Sequence, residues 1–193
     1  MLSYNEIVPK KYILVQGEPY EVISSHVFRK QQRKPVNQTK LRHLPSGKVV
    51  ERSFAQSERA EEADISLADA TYLYNHRGEW WFCEKGNPKK RFPLGEEIVG
   101  EKKHFLKENT DVSLLVFGQG KEERILSVRL PVKVDLRVTE APPNVRGNTA
   151  QGGTKRVTVE TGAHVSVPLF VEEGDTIRIN TETGEYTERV TSL

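Results

Sequence analysis

Hydrophobic positions in this chain fall in short clusters, rich in β-branched and aromatic residues and separated by turn formers. Tyr12-Ile-Leu-Val15, Tyr20-Glu-Val-Ile23, Lys48–Phe54, Thr71-Tyr-Leu-Tyr74, Glu79-Trp-Trp-Phe82, Val112–Phe117 and Arg124–Val128 each have the length and composition of a strand. Gly17-Glu18, Ser46-Gly47, Arg77-Gly78 and Gly118-Gln-Gly120 stand between them as turn signals. The last third continues in the same way with Lys133–Val138, His164–Val167, Thr176–Ile179 and Tyr186–Val190. Helical periodicity is scarce, and only Gly95–Val99 and His104–Lys107 read as short helical turns. Short strands at regular spacing predict an all-β chain built from small barrels or sandwiches. An acidic stretch without strand pattern, near Glu61 to Asp64, predicts one seam, and Leu130-Pro131 ahead of a fresh strand predicts another. The domains expected on that basis are 1–64, 65–130 and 131–193, each with a small core.

Composition narrows the class. With 36% hydrophobic and 29% charged residues the chain reads as an ordinary globular protein. Its longest apolar run, Val112–Phe117, is strand-sized and far too short for a membrane-spanning helix. Met1-Leu-Ser-Tyr-Asn-Glu-Ile7 has no basic segment followed by an apolar one, so no secretory leader is expected. Cys83 is the only cysteine, which excludes an internal disulfide and suits a cytoplasmic protein; beside Trp80-Trp-Phe82 it reads as core filler. His26, His43, His76, His104 and His164 are scattered without ligand spacing. No nucleophile-elbow or phosphate-loop motif is present. Neither a metal nor a cofactor is expected, and nor is catalysis by a group of the protein's own.

Net charge is only +2, but its placement is uneven. From Val22 to Val50 there is no Asp or Glu, while Arg29, Lys30, Arg33, Lys34, Lys40, Arg42 and Lys48 all lie there. The segment Glu58-Arg-Ala-Glu-Glu-Ala-Asp64 then turns acidic. A local basic stretch suits a polyanion, because neutralised phosphates release their counterions. On charge alone, a solvated loop without a partner fits the same residues.

The C-terminal third is more specific. Glu140-Ala-Pro-Pro-Asn-Val-Arg-Gly-Asn-Thr-Ala150, Thr161–Val171, Gly174–Thr181 and Gly184-Glu-Tyr186 occur in that order, with Lys155 ahead of the Thr161-Gly162 turn. Upstream stand Gly17-Glu-Pro-Tyr20, Lys40-Leu-Arg42 with Gly47 and Phe54, and Thr71-Tyr-Leu-Tyr-Asn75. Together these pieces resemble bacterial translation elongation factor P along nearly the whole chain. The resemblance implies an N-terminal SH3-like (KOW-type) barrel followed by two OB-folds, in an L-shaped arrangement with the outline of a tRNA. It also implies a factor that binds both ribosomal subunits beside the P-site peptidyl-tRNA as a monomer and relieves stalling at consecutive prolines. A related paralogue with a divergent role, a stand-alone OB-fold RNA binder and a small enzyme are the rival readings.

In the family, the loop after the third segment of domain one presents a Lys or an Arg to the acceptor end of the tRNA, and the Lys is often enlarged by modification. Counting back from Lys40-Leu-Arg42, the tip position falls on Gln32, within Arg29-Lys-Gln-Gln-Arg-Lys-Pro35. The usual Pro-Gly before the tip is replaced by Lys30-Gln31. Gln32 has no amine to modify, but its amide offers donors and an acceptor to RNA. A slip of the loop would instead bring Arg33 or Lys34 to the tip, and a divergent activity is the third option. Arg29, Lys30, Lys34, Lys40 and Arg42 are the expected phosphate contacts, which position RNA rather than read it. The domain-three loop that the family places near the exit-site codon of the mRNA reads Gly147-Asn148-Thr149, with Asn where the family has Asp. The corresponding domain-two loop, usually Gly-Asp, is Gly100-Glu101.

Overall fold

The structure is a computed structural model that describes residues 1–29, 34–118, 120–143 and 153–190. It is all-β, as the spacing of strand signals predicts, with three antiparallel sheets in chain order. The first sheet comprises β1 (Leu2–Ser3), β2 (Tyr12–Val15), β3 (Glu18–Phe28), β4 (Val36–His43), β5 (Val49–Ala55) and β6 (Arg59–Glu62), in the spatial order β1-β6-β2-β3-β4-β5. The second has β7 (Ile65–His76), β8 (Glu79–Glu84), β9 (Asn87–Leu94), β10 (Asp111–Phe117) and β11 (Arg124–Arg129), ordered β11-β10-β7-β8-β9. The third has β12 (Lys133–Glu140), β13 (Thr154–Val159), β14 (His164–Pro168), β15 (Thr176–Asn180) and β16 (Tyr186–Val190), ordered β14-β13-β12-β15-β16. A single helical turn, α1 (Glu96–Val99), runs into a 3₁₀ segment, Gly100–Phe105. The expected helical turn at 104–107 thus begins earlier and ends at Phe105. The stretch near Glu61 is not strand-poor, since β6 ends at Glu62 and β7 begins at Ile65.

Several strands escape a sequence reading for clear reasons. β9 reads Asn-Pro-Lys-Lys-Arg-Phe-Pro-Leu, with two prolines and three cations, and proline cannot donate to a ladder. It is tolerated because β9 is an edge strand of its sheet. β4 alternates strictly, but two of its inward positions are the polar Asn37 and Thr39, so the alternation is invisible to a hydrophobic template. Where turn chemistry is strong the expectation holds. Arg77 and Gly78 both have positive φ, 53° and 82°, the two-residue turn whose twist matches a right-handed hairpin.

The chain forms two compact units, Met1–Ala68 with Leu114–Ser127, and Asp69–Ser113 with Val128–Leu193. In the first, Leu2, Ile7, Ile13, Val22, Leu41, Phe54 and Ala60 form the core of the N-terminal sheet. Leu115 and Leu126 pack beside it against Leu44. In the second, the inward positions of β12 to β15, including Leu136, Val157, Val165, Val167, Ile177 and Ile179, form an aliphatic core onto which Phe105 also packs. His104 O accepts a hydrogen bond from Thr161 Oγ1 at 2.6 Å, and Lys107 Nζ lies 2.9 Å from Glu160 Oε1.

Across the third sheet, Asp135, Arg178 and Glu188 sit on neighbouring strands in direct register. Arg178 forks onto Asp135 (Nε to Oδ1 2.7 Å, Nη2 to Oδ2 2.9 Å) and reaches Glu188 Oε1 at 2.8 Å. The guanidinium holds the Asp135 carboxyl below its ordinary value of 3.8. A depressed folded pKa means the contribution is present above that value and is lost as pH falls through the folded one. The side chains are 34% and 40% exposed, so solvent screening limits the effect. Arg178→Met is expected to lower stability modestly at neutral pH. In urea denaturation at several pH values the gap should close as Asp135 protonates in acid.

Candidate nucleic-acid interface

The expected tip residues fall in sequence between β3 and β4, which form a long hairpin. β3 and β4 remain paired from Tyr20↔His43 to Phe28↔Val36, with a bulge at Ile23 between Val22 and Ser24. β5 lengthens the support by pairing Val36↔Ala55 through Arg42↔Val49. The last fully buried residue of β3 is Val22, but the core follows β4 and β5 to within one residue of the hairpin end, where Asn37 pairs with the buried Phe54 and reaches Ile7.

β5 makes the arm three-stranded along its length, and polar groups of its inner face help to hold it. Asn37 is fully buried, one residue from the end of the hairpin. Its Nδ2 donates to Tyr4 O at 2.6 Å and to Ile7 O at 2.9 Å. Ile7 itself is completely buried. The N-terminal segment is thereby fastened across the arm by an amide that satisfies two otherwise orphaned carbonyls. Thr39, also fully buried, donates from Oγ1 to Arg52 O at 2.8 Å. A polar residue at an inward position of an alternating strand was the sequence signal for Asn37, but it becomes legible only once the inward direction is known.

The outer face of the arm is polar and basic. Phe28 and His26 lie along β3 with rings 6.2 Å apart and stacked. Directly across β4 stand Gln38, then Lys40 and Arg42, all exposed. Lys40 lies 3.5 Å from Glu51, and Arg42 3.6 Å from Glu21. The carboxylates that bracket the acid-free stretch therefore reach the two cations nearest the core. The Lys40–Glu51 pair is exposed and weak, so a phosphate can displace it, whereas the Glu21 side chain that meets Arg42 is only 18% exposed. Arg29 and Lys34 are exposed at the two feet of the loop. Lys30, Gln31, Gln32 and Arg33 lie outside the described residues, as do Gly147, Asn148 and Thr149.

The other expected site residues are far along the chain. Gly100 joins α1 to the 3₁₀ segment with φ 56° and ψ −145°, a conformation nearly confined to glycine. Glu101 projects into solvent, 95% exposed, with its carboxylate 3.4 Å from His104 Nε2. Cys83 is buried. Among the described residues there is no cluster of His, Cys, Asp or Glu that could hold a metal ion.

Two family models match the chain: an elongation factor P KOW-like domain over residues 3–60 and the elongation factor P C-terminal domain over 134–189. Elongation factor P of Carboxydothermus hydrogenoformans is 37% identical over 190 residues, covering 98% of this chain and all of that protein. Elongation factor P of Fervidobacterium nodosum is 34% identical over 189 residues, again covering 98% and 100%.

The chain belongs to the elongation factor P family.

It is accordingly a translation elongation factor, as the motifs in its C-terminal third and first hairpin imply. The KOW-like match contains the whole β3–β4 hairpin, and the C-terminal match contains the third sheet except its end residues Lys133 and Val190. A solved archaeal structure, eukaryotic translation initiation factor 5A from Methanococcus jannaschii, is similar in fold with a TM-score of 0.50 at 14% identity. That likeness covers 66% of this chain and 92% of the archaeal one.

Proposed function

We propose that this elongation factor P family member binds the ribosome beside the P-site peptidyl-tRNA and promotes peptide-bond formation at consecutive prolines. The observation that carries the reading is the β3–β4 hairpin, which is braced by the core to within one residue of its end and belongs to a stretch that is basic and free of carboxylates. Arg29, Lys30, Lys34, Lys40 and Arg42 contact phosphates of the acceptor arm, and Gln32, flanked by Gln31 and Arg33, meets the acceptor end. Gly147-Asn148-Thr149 lies toward the exit-site codon, with Gly100-Glu101 as a second ribosomal contact. The factor works in the cytoplasm as a monomer, with domains 1–64, 65–130 and 131–193. That division is supported by the three sheets, each of which falls within one of those ranges.

The mechanism needs no chemical group from the protein. Proline is a secondary amine locked in its ring and attacks slowly. A factor that orders the acceptor end raises the rate by removing the entropic cost of alignment. The arm suits this role because Asn37 and Thr39 stiffen it to within one residue of its end, so that a loop contact is transmitted to a fixed body.

The test is translation of a reporter with three consecutive prolines in a purified system, with and without the protein. Relief of stalling that falls several-fold with Gln32→Ala is the expected result. Relief that survives that change and fails with Arg33→Ala moves the tip by one residue. An absence of relief overturns the reading and favours the divergent paralogue.

A further inference from the structure

The central sheet carries an aromatic and cationic surface that the tip reading does not use. In β7, Tyr72 pairs with Phe82 and Tyr74 pairs with Trp81, with a bulge between the two tyrosines. Residues two apart on a regular strand share a face, and the bulge breaks that rule here. Tyr72 is buried against Phe82 with ring centroids 5.3 Å apart, whereas Tyr74 is 37% exposed. The extra residue therefore turns Tyr74 to the outer face, where it stacks on Trp81 at 6.3 Å with planes 22° apart. Trp81 is half-buried, so part of the indole also faces solvent.

A second irregularity supplies the charge. Between Cys83↔Arg91 and Glu84↔Asn87, β9 holds three residues without partners on β8, among them Lys89 and Lys90. Arg91 shares the outer face with Trp81, because Arg91 opposes Cys83 and Pro93 opposes Trp81. The diagonal from Arg91 to Trp81 is about 7 Å, within reach of both side chains. Arg91 is steadied by donating from Nε to Pro88 O at 2.9 Å. Lys89 and Arg91 are exposed, and neither has a carboxylate partner among the described residues. Of the nearby acids, Glu84 is engaged by Lys90 and Asp111 by Lys85 and Thr71, while Asp69 accepts from the Ser113 hydroxyl at 3.5 Å. Glu79 lies at the far end of β8, opposite His76. From Glu79 to Leu94 four basic residues face two acidic ones.

We infer that the outer face of β7–β8–β9 is a binding surface for single-stranded RNA, on which an unpaired base stacks against Trp81 and Tyr74 while Arg91 and Lys89 meet the adjoining phosphates. Stacking tolerates any base, and the cations supply sequence-independent attraction. The bulge bends β7 where it lies between β10 and β8, and it also places Tyr74 on the outer face. The proposal goes beyond the tip reading and stands without it, because free RNA suffices to test it.

The experiment uses the full chain with Trp80→Phe, which leaves Trp81 as the only tryptophan. A single-stranded oligoadenylate is titrated in at several salt concentrations. The expected result is saturable quenching of Trp81 with an affinity that falls as salt rises. Arg91→Glu, an exposed substitution that leaves the core untouched, should weaken binding about tenfold and reduce the salt slope. Trp81→Ala, followed through a dye on the RNA, should weaken it about tenfold, and Trp81→Phe should restore most of that loss. Unchanged Trp81 fluorescence at saturating RNA would overturn the inference. So would affinity that ignores Arg91→Glu and disappears with Lys34→Glu, or quenching by a ribosomal protein and not by RNA.

Discussion

Arg33→Glu combined with Lys34→Glu is expected to weaken ribosome binding about a hundredfold at low salt, and to abolish relief at consecutive prolines. Each substitution removes a proposed phosphate contact and adds a repulsive charge. No acid within Val22–Val50 compensates, so the loop owes its potential to the basic residues alone. Lys34 is exposed at the foot of the loop, next to Pro35, and takes part in no packing that its replacement would disturb. The native fold should therefore survive, with an unaltered circular dichroism melt. Co-sedimentation with ribosomes across a salt series is the decisive measurement. The variant should show a shallower salt slope as well as lower affinity, because fewer counterions are released. Undiminished binding at physiological salt would remove the phosphate-contact role from these residues.

Asn37→Asp is expected to be the most damaging single substitution in the tip arm. The amide nitrogen donates to two backbone carbonyls, and a carboxylate would set negative oxygen against both in a fully buried site. The expected cost at neutral pH is about 4 kcal/mol, against about 2 kcal/mol for Asn37→Ala, which merely leaves the two carbonyls unpaired. Burial and the facing carbonyl dipoles would raise the folded pKa of the new acid. A group with a raised folded pKa binds more protons folded than unfolded, so stability falls as pH rises between the two values. The deficit relative to the parent should consequently be smallest near pH 4 and grow toward neutrality. Urea unfolding followed by far-UV circular dichroism measures it, and hydrogen exchange of the β3–β4 amides locates it. A deficit independent of pH would show that the side chain turns outward to water.

Much of the architecture was legible because it rests on local chemistry. Strands such as Val112–Phe117 and Thr176–Asn180 are dense in residues that pack on a pleated surface, and Arg77-Gly78 carries the backbone preference of its hairpin turn. The family was legible for a different reason, since ordered motifs such as Thr161–Val171 and Gly174–Thr181 are too specific to arise from strand propensity. β4 and β9 were harder to see. In β4 the inward positions are filled by Asn37 and Thr39, whose polarity is acceptable only because Tyr4, Ile7 and Arg52 offer backbone partners from distant sequence. In β9 the prolines are acceptable because no strand among the described residues lies on its far side.

The candidate site divides along the same line. The sequence by itself determined the all-β class, the basic acid-free stretch, the family and the absence of an amine at position 32. Each of these is a property of residue identity and order. Tertiary structure alone decided that Lys40 and Arg42 share one exposed face with His26 and Phe28 and already meet Glu51 and Glu21. It alone decided that Asn37 fastens the N-terminal segment across the arm, and that Tyr74 turns outward while Tyr72 stays buried. Strand register, bulges and the partners across a sheet come from contacts between residues far apart in the chain, and no local preference encodes them.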